Sequence, residues 1–143
     1  MESLNIEIIG DYVDSYIYSG NLILVGSDYV LRTYRWDDLI DEATDGIKYG
    51  DRQSILNISK DSTTLSDEKT YNLEIKEKLL KKHFVSKIEL GVWPTDIGIM
   101  SNWLYISSEN GIDHVYLNYL TGQLGHMQRK SKLFDSMAFF GCP

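Results

Sequence analysis

The sequence predicts one β-dominated domain over residues 1–143, made of antiparallel meanders with a single helix near 74–84. Three observations point to it. Aromatic residues are abundant, with ten Tyr, three Trp and four Phe, and aromatic side chains suit pleated, half-buried surfaces. Short apolar runs are punctuated by Gly, Asn, Asp and Ser, the residues of tight turns. A meander-like segment near the start of the chain recurs near its end. A length of 143 residues suits one domain and allows a proper core. The alternative architecture is a compact α+β domain, with a curved antiparallel sheet packed on that helix.

The elements follow in order. Tyr12 to Tyr18 reads as a strand, and Ser19-Gly20-Asn21 as the turn of a hairpin. Leu22-Ile23-Leu24-Val25 is a continuous apolar run, which marks a strand buried on both faces. After Gly26-Ser27-Asp28 comes a third strand, Tyr29 to Trp36, whose Val30, Tyr34 and Trp36 face is broken by Arg32. Asp37 to Ala43 forms one short helical turn capped by Asp37. Ser54 to Ser59 reads as a short strand and Lys60 to Asp67 as a polar loop. Glu74 to Phe84 is predicted helical, supported by Glu74/Lys78 and Glu77/Lys81 in the favourable i, i+4 order. Residues 71–75 alternate as a strand would, which leaves the start of that helix open. Val85 to Trp93 and Ile112 to Leu120 return to strand character.

Asp96 to Ser108 aligns without gaps on Asp14 to Gly26, with Asp14/Asp96, Ile17/Ile99, Ser19/Ser101 and Leu22/Leu104 identical. The repeat-like units are thus 12–46 and 94–125, around an irregular middle at 47–93. With the Thr121-Gly122 turn that follows the second copy, residues 12–40 and 95–125 resemble blades of β-propeller proteins. Their separation is about twice the spacing of roughly 40–45 residues in WD-type blades, and a degenerate middle blade across 47–90 would account for it. Trp36-Asp37 occurs once, while Leu120-Thr121 stands there in the second copy; no Gly-His pair sits at the WD spacing. The resemblance implies an incomplete or partial propeller that displays loops to partners, since propellers close with four or more blades.

The formal net charge is −7. Residues 1–50 hold ten acids and three bases, whereas residues 51–143 hold eleven of each. An acidic balance disfavours nucleic acid, which demands a basic footprint. It suits solubility, or steering toward a basic protein. The single cysteine, Cys142, forms no intrachain disulfide. The N-terminal residues carry no secretory pattern, and no apolar run nears the roughly 18 residues that span a bilayer. The expectation is therefore a cytoplasmic protein with no membrane partner, in which Asn57-Ile58-Ser59 is a chance glycosylation match. The apolar segment Phe134 to Pro143 is expected to dock into the core, to self-associate with another subunit, or to lead into further chain.

Candidate chemistry is sparse. Asp37, Asp38, Asp41, Glu42 and Asp45 cluster, but a calcium loop counted from Asp41 puts Ala43 and Arg52 at ligand positions. His83, His114 and His126 lie far apart, without metal-type spacing. His83 instead suits a helix C-terminus. No glycine-rich phosphate loop is present. Lys76, Lys78, Lys81, Lys82 and Lys87 read as a solvated face, and Arg129, Lys130 and Lys132 as bases free to pair with the acidic first third. No metal, cofactor or catalytic residue is expected. The aromatic residues are the strongest lead, because Tyr and Trp dominate interface hot spots. The function expected is a non-catalytic binding module that meets a protein partner, possibly a basic one, through Trp36, Asp37, Asp38, Asp41, Glu42, Asp45, Trp103 and Tyr105. The alternatives are a small acidic inhibitor of immunity type that neutralises a basic partner, and an enzyme of unrecognised type.

Overall fold

The computed structural model describes residues 3–60 and 69–131. Strand β1 (Ser3–Ile8) leads into a meander of β2 (Tyr12–Tyr18), β3 (Asn21–Gly26) and β4 (Val30–Arg35). Helices α1 (Trp36–Ala43) and α2 (Tyr49–Lys60) follow, then β5 (Thr70–Ile75), α3 (Glu77–Lys82) and β6 (Phe84–Glu89). A second meander comprises β7 (Asp96–Met100), β8 (Trp103–Ser108), β9 (Gly111–Tyr116) and β10 (Gln128–Ser131). The mostly β character is as expected. The strands form two antiparallel four-stranded sheets, ordered β2-β3-β4-β6 and β7-β8-β9-β10, plus a parallel pair β1-β5. The sheets form no closed propeller among the described residues.

The two meanders share their construction. Ser19 and Gly20 have φ of 46° and 73°, and Ser101 and Asn102 have φ of 50° and 67°. Two successive left-handed residues match the right-handed twist of the flanking strands, and Gly and Asn bear that conformation most easily. In the first sheet Leu22 lies opposite Tyr34 and Ile23 opposite Thr33. In the second, Leu104 lies opposite Val115 and Tyr105 opposite His114.

Every residue of β3 is buried, as its apolar run predicts, because a core lies on each side of it. On one side Leu22, Leu24 and Tyr34 pack with Trp36, Leu39, Ile40, Ile55, Tyr71, Leu73 and Ile75. On the other, Ile23, Val25 and Leu31 pack with Ile97, Leu104, Ile106, Val115 and Leu117. The layers therefore run from the helices and the parallel pair, through the first sheet, to the second. Alternation makes this possible, since successive side chains of a strand point to opposite faces.

The loop after β9 closes the junction between the sheets. Asn21 and Thr33 are fully buried, and buried polar groups need partners. The Asn21 amide donates to the Tyr119 carbonyl at 2.9 Å. The Thr33 hydroxyl donates to the Gly122 carbonyl at 2.6 Å. Gly122 has φ of 82°, and a Cβ there would sit 2.8 Å from the Asn21 Oδ1. Both the conformation and the close approach require glycine.

Several expected elements differ. The strand expected at 54–59 is the last half of helix α2, with Ile55 buried and Leu56 and Ile58 packed at the core edge. Three apolar residues within four positions, Ile55, Leu56 and Ile58, fit either period, and here the facing helix α1 and strand β1 decide it. The helix expected over 74–84 is shorter: 70–75 is a strand with Tyr71, Leu73 and Ile75 buried, and only Glu77–Lys82 is helical. Glu74 therefore stands on β5 and not on a helix face, while Glu77 and Lys81 do pair, at 2.8 Å. Among the described residues, the middle of the chain builds no blade of its own. It supplies β5 to β1 in parallel register, from Ser3 opposite Thr70 to Ile8 opposite Ile75, and β6 to the edge of the first sheet. Helix α1 is longer than one turn and its N-cap is Arg35, with no side-chain cap; Asp37 and Asp38 face the positive helix end from the first turn. The expected loop at 61–67 and the apolar segment 134–143 lie outside the described residues.

Candidate interaction face

Trp36 opens helix α1 and is 3% exposed. Trp36, Leu39, Ile40 and Ala43 follow the i, i+3, i+4, i+7 spacing of an inward helical stripe, and all four belong to the first core. The Trp36 indole nitrogen reaches toward the Ser59 carbonyl at 3.4 Å. Trp36 is thus a core residue and not the partner-facing aromatic expected from its place beside the acidic turn.

Two of the five acids of the acidic turn are drawn into the protein itself. Asp41 pairs with Arg52 at 2.6 Å. Glu42 pairs with Lys82 and lies 2.6 Å from the His83 Nε2. The Lys82 and His83 contacts hold the Glu42 carboxyl below its ordinary value. Asp37, Asp38 and Asp45 remain exposed. Arg129, expected to pair with the acidic first third, instead donates to Asp113 of its own sheet at 2.6 Å.

Trp103 and Tyr105 come together with residues that sequence reasoning did not group with them. They point away from the first sheet, because Leu104 and Ile106, which alternate with them along β8, point toward it. Register places Met100 opposite Trp103, Tyr116 opposite Trp103 and His114 opposite Tyr105. The Trp103 ring centroid lies 4.7 Å from that of His114 and 5.3 Å from that of Tyr116 in an edge-on arrangement. His114 and Tyr105 meet edge-on at 6.2 Å, and Lys130 from β10 stands 5.2 Å over the Tyr105 ring. The His114 Nε2 lies 3.2 Å from the Gln128 Oε1.

The face has two halves. Near the Glu109–Asn110 turn, Tyr105, Ser107 and Ile112 are buried, and the Ser107 hydroxyl has no hydrogen-bond partner among the described residues. Toward the Ser101–Asn102 turn, Met100 is 54% and Tyr116 41% exposed, with Trp103 and His114 half-buried. Period-two alternation along β8 and β9 was the available signal for Met100, His114 and Tyr116. It required knowing the register of the two strands.

Asp113 and His114 are neighbours on β9 and so point to opposite sides, which rules out their working as a pair. Among the described residues no group of three or more His, Cys, Asp or Glu could hold a metal ion, and no helix is long and apolar enough to cross a membrane.

A cleft of about 650 Å³ lies elsewhere, between the start of β2, the first sheet and α3. Asp28, Arg32, Tyr12, Tyr34, Lys81 and Lys87 are among its lining residues. Arg32 is already held by Asp28 at 2.7 Å and Lys81 by Glu77. Burial, and then the adjacent Tyr12, pushes the Tyr34 hydroxyl up. Two of the cleft's bases, Arg32 and Lys81, are thus committed to Asp28 and Glu77, and Lys87 lines the cleft beside them.

Compared with protein-family models, with curated proteins and with solved structures, the chain matches none.

Proposed function

We propose that this chain is a non-catalytic interaction module that meets a protein partner through the outer face of its second meander. The observation that carries the reading is the half-open cluster of Trp103, His114, Tyr116 and Met100 on a sheet whose opposite face is fully engaged. Rigid aromatic side chains bury large area at low conformational cost, and hot spots are built from them. A charge-led contact with a basic partner has weaker support, because Asp41 and Glu42 are occupied by the protein's own bases.

The test uses the full chain as bait in extracts of the cells that make it, beside Met100→Glu and a Asp38→Asn/Asp45→Asn variant. All three are checked for unchanged circular dichroism and melting. The reading expects a partner retained by the unaltered chain and the acidic-turn variant but lost by Met100→Glu. Equal retention by all three, or loss with the acidic-turn variant alone, refutes it.

A further inference from the structure

The cleft between β2, the first sheet and α3 holds an unfavourable cross-strand pair. Arg32 on β4 stands directly opposite Lys87 on β6, and like charges in that relation repel. Arg32 is neutralised by Asp28, whose two oxygens take the guanidinium at 2.7 and 3.2 Å. That fork lies over Gly26, where a Cβ would sit 3.0 Å from the Arg32 Nη1. Lys81 is taken by Glu77. Lys87 makes no ion pair among the described residues, so it is the base of the cleft left without a carboxylate.

The wall that carries Lys87 is basic as a whole. Residues 76–87 hold five lysines against one glutamate, in a chain of net charge −7. A concave surface of one sign focuses its field on ligands of the other. Asp11, the remaining carboxylate of the lining, lies at the far wall and accepts from the Ser27 hydroxyl at 2.6 Å. Strands β3 and β4 stand between β2, which follows Asp11, and β6. Phe84, also on β6, is 43% exposed and meets Tyr34 edge-on at 5.9 Å. Both rings line the cleft. Its volume of about 650 Å³ lies in the range of small-ligand sites, which join an apolar lining to a few polar groups.

We propose that this cleft binds a small aromatic carboxylate, with its anionic group between Lys87 and Arg32 and its ring against Phe84 and Tyr34. One unpaired base selects a monoanion, and a flat ring packs on Phe84 by the same edge-to-face preference that Tyr34 shows. Bound there, the carboxylate also relieves the repulsion between the two facing bases. The site lies on the first sheet and α3, apart from the outer face of the second meander, so it is independent of the interaction reading.

The experiment titrates phenylacetate into the full chain at low salt and follows amide and aromatic NMR shifts, beside acetate, phenylacetamide and benzylamine. The expected result is saturable shifts at Arg32, Phe84 and Lys87 with phenylacetate. Half-saturation should come at about 10 mM or below, ordinary for so small a ligand. Acetate and phenylacetamide each lack one half of the ligand and should bind about tenfold more weakly. Benzylamine, a cation of the same shape, should leave the cleft signals unmoved. Lys87→Met keeps the apolar stem and removes the charge; it should weaken phenylacetate about tenfold with unchanged melting. Added salt should weaken it in the unaltered chain. Equal affinity for phenylacetate and phenylacetamide, full affinity in Lys87→Met, or shifts that fail to saturate or fall outside the cleft overturn the proposal.

Discussion

The Thr33 hydroxyl donates to the Gly122 carbonyl at 2.6 Å, so a fully buried residue of the first meander fastens the loop that follows the second. Thr33→Val keeps the shape of the side chain and removes the donor, leaving that carbonyl without its partner. A lost buried hydrogen bond of this kind costs about 1–3 kcal/mol. Urea denaturation should show a fall in that range with unchanged slope. An unaltered midpoint would mean that apolar contacts alone seat the loop.

Gly122 and Gly46 separate two reasons for a glycine. Their φ values are 82° and 87°, but a Cβ at Gly46 meets nothing within 4 Å while one at Gly122 lies 2.8 Å from the Asn21 Oδ1. Gly46→Ala should cost about 1 kcal/mol, from backbone strain alone. Gly122→Ala should cost distinctly more, because Asn21 must also move. Equal losses in chemical denaturation would contradict the close approach.

Trp36→Ala should act on stability. The side chain is buried among Leu39, Ile40 and Ile55, and truncating a buried Trp costs about 3–5 kcal/mol. Equilibrium unfolding measures it directly. A loss below about 1 kcal/mol would be that of an exposed side chain and would contradict the burial.

Acid should weaken the fold through three surface carboxylates, Glu42, Asp28 and Glu77. Hydrogen bonds from Lys82 and then His83 lower the Glu42 carboxyl, one from Arg32 lowers Asp28, and one from Lys81 lowers Glu77. A carboxylate with a lowered folded value binds fewer protons when folded than when unfolded. Its contribution is therefore present above the ordinary carboxylate range and is lost as pH falls through the lowered value. The variant Asp28→Asn, Glu42→Gln, Glu77→Gln should flatten the acid side of a stability-against-pH curve, and added salt should shrink the difference. An acid limb unchanged by the triple variant would assign it to other groups.

Local signals were legible in the sequence and long-range ones were not. The Leu22–Val25 run announced a doubly buried strand, and the Ser-Gly and Ser-Asn turns announced two like hairpins. The sequence of helix α2 also suggests a strand because Ile55, Leu56 and Ile58 satisfy either period over so short a run. The parallel pairing of β1 with β5, and the return of β6 to the first sheet, join segments far apart in the chain, and turn chemistry carries no trace of that. The same limit applied to the outer face. Trp103 and Tyr105 stood out by type, whereas Met100, His114 and Tyr116 joined them only through strand register. The acidic neighbours Asp37 and Asp38 suggest an exposed Trp36, although its spacing to Leu39, Ile40 and Ala43 describes an inward stripe.

Strand β3 gives one row of side chains to each hydrophobic cluster, so neither cluster survives if it leaves. Strand β4 divides itself in the same way, with Tyr34 in one cluster and Leu31 in the other, so the helical layer and the outer sheet must melt together. Fluorescence from variants that keep only Trp36 on one flank or only Trp103 on the other should trace a single coincident curve, the mark of an all-or-none transition in a molecule that carries two like meanders.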